Sequence, residues 1–243
     1  MAIRQNKVET VRKPMPRKKT VTGEIVNKRR RQARSADTRA KILEAATKEF
    51  AERGFDGATT RSIAQRGNLR HALVIYHFET KTGLWKAVMQ DIISGFNDMF
   101  EQRLAGLDGV DDVVKLRLLQ ADFVRMAAAH PELHWLMSHE AGRGGERLDW
   151  LMDSLTGTAN AIFVDLIASA QRSGHYIQGN PWHLHYIFLG ASARIFMLAA
   201  EAERFMGHSP FKPHFVKEHV RLCSELFFRE PGVPVKRKPR GRR

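Results

Sequence analysis

Residues 38–88 read TRAKILEAATKEFAERGFDGATTRSIAQRGNLRHALVIYHFETKTGLWKAV. Three short helical patterns follow one another, and only Gly67-Asn68 separates the second from the third. Such a pair is the layout of a helix-turn-helix, which lays its second helix in the DNA major groove. Ile42, Leu43, Ala46 and Phe50 recur at helical spacing and give one apolar face, with Arg39, Lys41, Glu44, Lys48 and Glu52 outside it. Gly54 stands where that helix needs a left-handed residue after its last turn, and Phe55 can fold back onto it. Thr59 is placed to cap the second helix through its hydroxyl. Ser62, three residues on, replaces the Glu or Gln of a full capping box and weakens that signal. Asn68 tolerates positive φ, so the turn survives there. Leu69, Val74 and Phe78 are expected to seat the third helix on the other two.

The same stretch resembles the N-terminal domain of the tetracycline-repressor (TetR) family of bacterial transcription regulators. The matching pieces are Ile42-Leu43-Glu44-Ala45-Ala46, Phe50-Ala51-Glu52-Arg53-Gly54-Phe55, Ile63-Ala64-Gln65-Arg66, and Tyr76-His77-Phe78 with Lys81 and Leu84. Carried over residue by residue, the resemblance gives the DNA face to Thr59, Arg61, Arg70, His71, Ala72, Leu73, Tyr76, His77 and Lys81. Within that set, Arg61 and the His71-Ala72-Leu73 run would meet bases, while Tyr76, His77 and Lys81 would meet phosphates. Arg70 could reach either. The family commonly has Tyr where this chain has Ile75, which removes one phosphate-contacting hydroxyl. Ala72 and Leu73 suit thymine methyl groups. The competing assignment for Leu73 and Tyr76 is the core of the small domain.

The formal net charge of +14 is unevenly placed. Residues 1–35 hold twelve Lys/Arg and two Asp/Glu, and residues 236–243 hold six basic residues and no acid, so residues 36–235 come to −2. Runs of like charge repel and bury nothing, so both tails are expected to be disordered. The run Lys28-Arg29-Arg30-Arg31 through Arg34 is suited to reach a neighbouring minor groove, with a merely solvated tail as the alternative. With one cysteine, Cys223, no intramolecular disulfide is possible, which suits a reducing compartment. No apolar run of a signal peptide opens the chain, and no segment is read as a membrane span, although residues 186–200 are strongly apolar. The expected place of work is the bacterial cytoplasm, at the nucleoid, with no membrane partner.

From residue 81 onward, helix follows helix and no strand alternation appears, so the fold class is all-α. Leu84, Trp85, Val88, Met89, Ile92, Phe96, Met99 and Phe100 form a long stripe that would link the two halves. Further helices are expected over 113–129, from Pro131, over 147–170, from Asn180-Pro181 to about Phe205, and from Pro213 to about Arg229. The expected domains are an arm at 1–35, a helix-turn-helix domain at 36–96 with its motif at about 59–78, a helical ligand-binding and dimerisation domain at 97–230, and a basic tail at 231–243.

By the same resemblance, the last two helices build a dimer. Gly190 and Ser192 are small, and Leu189, Phe196, Val216, Val220, Cys223 and Phe227 supply apolar knobs. An ordinary monomer core is the alternative for such stripes. The middle helices would hold a largely apolar pocket lined by Phe123, Met126, Trp135, Met137, Trp150 and Phe163, with His139 or Arg143 as polar anchor, and an ordinary packed core is the alternative for such a stripe. The histidines lack the spacing of a zinc hydrolase, so no metal is expected. Ser138, His139 and Glu140 are helix neighbours that point apart, so no catalytic set forms and no enzyme or cofactor is expected. The resemblance therefore implies a homodimeric repressor that binds operator DNA and is released by a small-molecule effector. A non-specific architectural protein driven by the basic tails is the rival class.

Overall fold

The computed structural model describes residues 21–230, with side chains from residue 29 onward except Arg31. Eleven α-helices and one π turn carry these residues. The chain divides into two compact units, Met1–Lys41 and Ile42–Arg243. In the first, every described residue belongs to α1 (Val21–Gly57). Asp37 pairs with Lys41 at 2.9 Å one helical turn away, and Thr38 Oγ1 donates to the Arg34 carbonyl at 2.8 Å. Residues 21–35 are thus helical, contrary to the expected disorder. No Gly or Pro occurs from Glu24 to Arg53, and Arg, Lys, Gln and Ala all favour the helix, so propensity outweighs the charge repulsion. The expectations for residues 1–20 and 231–243 lie outside the described residues.

In the second unit, α1 runs on to Gly54, which takes φ +66° as its position at the end of the apolar stripe requires. Helices α2 (Thr60–Arg66) and α3 (His71–Phe78) form the helix-turn-helix. The cap of α2 is complete: Thr59 Oγ1 accepts from the Ser62 amide at 2.9 Å, and Ser62 Oγ accepts from the Thr59 amide at 3.0 Å. Serine is therefore long enough to close the box. In the turn, Asn68 takes the positive φ of 49°, while Gly67 is needed for space. A Cβ on Gly67 would lie 3.2 Å from the Ala45 methyl on α1. One further tie was not legible: Arg66 Nε donates to the buried Glu49 at 2.7 Å while its other nitrogens pair with Glu52, which locks α2 onto α1. Burial works against the charge on Glu49, but Ser62, Arg66 and Arg53 together hold its carboxyl below the ordinary carboxylate range.

The long helix α4 (Lys81–Ala105) leaves this head, capped by Thr80, and buries Leu84, Trp85, Val88, Met89, Ile93 and Phe100. Behind it come α5 (Asp112–Ala129), α6 (Pro131–Arg143), α7 (Glu146–Leu151), the π turn Met152–Thr156, and α8 (Gly157–Arg172). Then follow α9 (Pro181–Met197), α10 (Ala199–Met206) and α11 (Pro213–Phe227). Two expected helices are broken. The 147–170 run contains the π turn, and the run from Pro181 bends by 74° at Leu198. The only β feature among the described residues is an isolated bridge between Tyr176 and Phe228.

The buried residues form two apolar clusters. One joins Ile42, Phe50, Ile63, Val74 and Phe78 of the head to Trp85 and Met89 of α4, and continues into Met126, Leu133, Leu136 and Leu151 of the body. The other joins α5, α8, α9 and α11 around Phe163, Phe188, Phe196 and Phe227. One helical run, Glu146–Arg172, is long and apolar enough by composition to cross a membrane, with mean hydropathy 1.2. This differs from the sequence expectation. The run places Leu151 in the first cluster and Phe163, Leu166, Ile167 and Ala170 in the second.

Candidate DNA interface and effector cavity

The outward face of α2 and α3 carries Arg61, Arg70, Ala72, Leu73, Ile75 and Tyr76, all exposed. Tyr76 is 78% exposed and Leu73 36%, so neither is a core residue. Val74 and Phe78, on the opposite face of the same two turns, are buried, and Leu69 packs partly against them. His77 is half-buried, its ring edge-on to Tyr76 at 5.2 Å between centroids. Three members of the expected contact set also have partners within the protein. His71 Nε2 is 2.9 Å from Thr60 Oγ1, which fixes its ring against α2. Thr59 spends its hydroxyl on the cap. Lys81 departs most: its Nζ donates to the carbonyls of Phe55 at 2.9 Å and Ala58 at 3.2 Å, and sits 4.3 Å from the centre of the Phe55 ring. These orphan carbonyls end α1, and an ammonium is a strong donor to them, so Lys81 ties α4 to α1 instead of standing free for a phosphate.

Helices α4 to α9, together with the π turn, line a partly open cavity of about 630 Å³. Phe123, Met126, Met137 and Phe163 line it as expected. Trp135, His139, Arg143 and Trp150 do not. The reason is helical phase: residues 135, 139 and 143 stand four apart on the head-facing side of α6, whereas His134, Met137, Ser138 and Ala141 turn to the cavity. The ring of His139 packs against Gly54, with Trp135 beside it at 6.3 Å. Arg143 pairs with Asp56, and Trp150 lies tilted against Trp85 at 5.8 Å between centroids, with the Lys86 ammonium over its ring. Sequence reading missed the cavity's polar wall: Asn97, His134, Asn160, His185 and Arg194. His185 is buried and its neighbour His183 exposed, as opposite helix faces require. Burial pushes the imidazoles of His134 and His185 down to about 4, so both rings are neutral near pH 7. Among the described residues, no three His, Cys, Asp or Glu side chains come together to hold a metal ion.

The side of α6 turned away from the cavity grips the head. Arg147 Nε donates at 2.8 Å to Glu140, which is 1% exposed, and its guanidinium lies 4.0 Å from the centre of the Phe55 ring and 5.7 Å from that of Trp85. Next to it, the π turn faces both ways. Met152 and Thr156 line the cavity, while the Leu155 carbonyl accepts from Asn97 Nδ2 of α4 at 2.8 Å. Gly157 permits this geometry, because a Cβ there would lie 2.7 Å from the Met152 carbonyl oxygen.

Four of the expected dimer residues serve the chain's own core. Ser192, Phe196, Cys223 and Phe227 are buried in the second cluster or against it, and Leu189, Val216 and Val220 are half-buried there. Gly190 is exposed, with open space where a Cβ would stand. The apolar residues that α9 and α11 present outward are instead Trp182, Tyr186 and Ile187, and Leu222 and Leu226. Both helices carry apolar residues on more than one face, so spacing alone does not say which face meets the chain's own core.

Residues 42–88 match the family of bacterial regulatory proteins, tetR family. The transcriptional repressor NicS of Pseudomonas putida is 30% identical over 145 residues, which covers 58% of this chain and 68% of NicS. The chain belongs to the TetR family. The transcriptional regulator RutR of Escherichia coli strain K12 is 26% identical over 215 residues, 86% of this chain and 91% of RutR. The crystal structure of AibR in complex with isovaleryl coenzyme A and operator DNA superposes with a TM-score of 0.61 at 18% identity, over 79% of this chain and 98% of that one. As a TetR-family member, the chain is a helix-turn-helix transcriptional regulator and not an enzyme.

Proposed function

We propose that this regulator is a homodimeric repressor that a small molecule releases from its operator. The carrying observation is that the elements walling the cavity also hold the DNA-reading head. Helix α6 offers Met137 to the cavity and His139 to Gly54, while the 146–157 segment offers Met152 to the cavity and Arg147 to Phe55. A ligand that binds one arrangement of these elements better than another biases the head by that difference in affinity. AibR, solved in complex with isovaleryl coenzyme A and operator DNA, supports this plan. On this reading the head at 36–96 serves a body at 97–230, and the cytoplasmic protein works on nucleoid DNA. Arg61, Arg70, Ala72, Leu73 and Tyr76 face the operator, with His71 and His77 positioned by their neighbours. The outward residues Ile187, Leu222 and Leu226 meet a second copy.

The test is to map the protein's chromosomal binding sites and footprint one of them. Two protected half-sites should appear, with centres about 34–36 Å or a multiple apart. A reporter under that site should rise when the gene for the regulator is deleted. A uniform, sequence-independent footprint would sink the proposal in favour of an architectural protein, and a reporter that falls would make the regulator an activator.

A further inference from the structure

Three buried side-chain atoms on the residues that wall the cavity have no hydrogen-bond partner: Asn97 Oδ1, His134 Nε2 and His185 Nδ1. Buried polar atoms are nearly always partnered, and leaving one unmet costs about 1–3 kcal/mol. Two of the three have a definite sense. Asn97 gives its amide nitrogen to the Leu155 carbonyl, so what is left is its oxygen, an acceptor. His185 Nε2 lies 3.0 Å from Asn160 Oδ1, an oxygen that only accepts, so the proton sits on Nε2 and Nδ1 is a bare lone pair. The neutral state of the ring keeps that lone pair available.

Charge and shape narrow the occupant further. The wall contains no carboxylate, and its one formally charged side chain is Arg194, which is exposed and has no ion pair among the described residues. The inner wall is aromatic: Phe123 stands edge-on to Phe96 at 6.2 Å and to Phe163 at 6.4 Å between centroids. A cation would find no counter-charge here. A plain acyl chain would leave both acceptors unmet.

We infer that the cavity takes an aromatic or heteroaromatic acid whose ring also bears an O–H or N–H donor. The ring's O–H or N–H donates to the lone pair of His185 Nδ1, the ring lies among Phe96, Phe123 and Phe163, and the carboxylate is held toward Arg194. The inference rests on reading this cavity as the effector site.

Calorimetric titration of the full chain with five probes tests it. They are 3-(4-hydroxyphenyl)propionate, its methoxy ether, unsubstituted 3-phenylpropionate, 3-(4-hydroxyphenyl)propionamide, and decanoate. The hydroxy acid should bind about tenfold or more tighter than each of the others, the factor expected for one buried hydrogen bond or one ion contact. Arg194→Gln should erase its advantage over the amide, and His185→Phe its advantage over the methoxy ether, with helical circular dichroism unchanged. Equal binding of the four aromatic probes overturns the chemical class and leaves the cavity as an effector site, as does tighter binding of decanoate. Failure of all five to bind overturns the effector-site reading itself.

Discussion

Arg61 projects from the first turn of α2, exposed and without an ion pair among the described residues. Replacing it with Ala should cost about 1–3 kcal/mol of operator affinity and relax preference at one base pair per half-site, as measured by binding to a set of single-base operator variants. An unchanged preference profile removes Arg61 from the base contacts. Lys81 behaves differently, because its ammonium already holds two carbonyls at the end of α1. Lys81→Met should lower stability by about 1–3 kcal/mol in urea titration while leaving the salt dependence of DNA binding unchanged. If the slope of log K against log salt flattens by about 0.9, Lys81 meets a phosphate after all. At this scale the exposed residues of the reader were legible from sequence, since the alternation with Val74 and Phe78 fixes their face. The partners of Lys81, Arg66 and Arg147 were not, because each lies across a gap in sequence that only packing closes.

The two buried histidines give a residue-scale pH dependence. In the unfolded chain a histidine takes its proton near 6.5, whereas His134 and His185 in the fold resist it down to about 4. Between those values the unfolded chain binds more protons. Stability should therefore be full above pH 6.5 and fall toward pH 4, by at most about 1.4 kcal/mol per pH unit for each ring. Urea midpoints at pH 7 and pH 5 check the sign, and His134→Phe should flatten the difference. A midpoint that rises on acidification would contradict the burial of these rings.

Among the elements, those with chemical punctuation were readable. Thr59 starts α2, Pro131 starts α6, Asn180-Pro181 starts α9 and Pro213 starts α11. The breaks at Met152–Thr156 and Leu198 carry no breaker residue within them. Leu198 is followed by Ala199-Ala200, which are strong helix formers, so the bend there is imposed by packing and not by local preference. The choice of outward face on α9 and α11 was hidden for the same reason. Given the observed faces, Leu226→Glu is the sharper test of dimerisation, since it adds charge to an exposed position and leaves Cys223 and Phe227 in their core. Sedimentation should shift from dimer to monomer, and operator affinity should fall by at least about tenfold through loss of the second half-site. A dimer that survives both Leu226→Glu and Leu222→Arg places the interface elsewhere.

For the whole molecule, the basic charge falls largely at the two ends of the chain. That much was visible by counting, as was the all-α fold. The continuity of the first apolar cluster was not, because its members run from Ile42 to Leu151 with helices of other allegiance between them. A helix-turn-helix of this size would be marginal alone, since small domains bury too little of their surface. Here Trp85 and Met89 are shared with Met126, Leu133 and Leu151, and Arg147 rests on Phe55. The reader therefore borrows its stability from the part that walls the cavity. In a calorimeter the two should melt as one endotherm, with calorimetric and van't Hoff enthalpies equal per cooperative unit, and a compound that tightens the cavity should raise the melting temperature of the DNA reader with it.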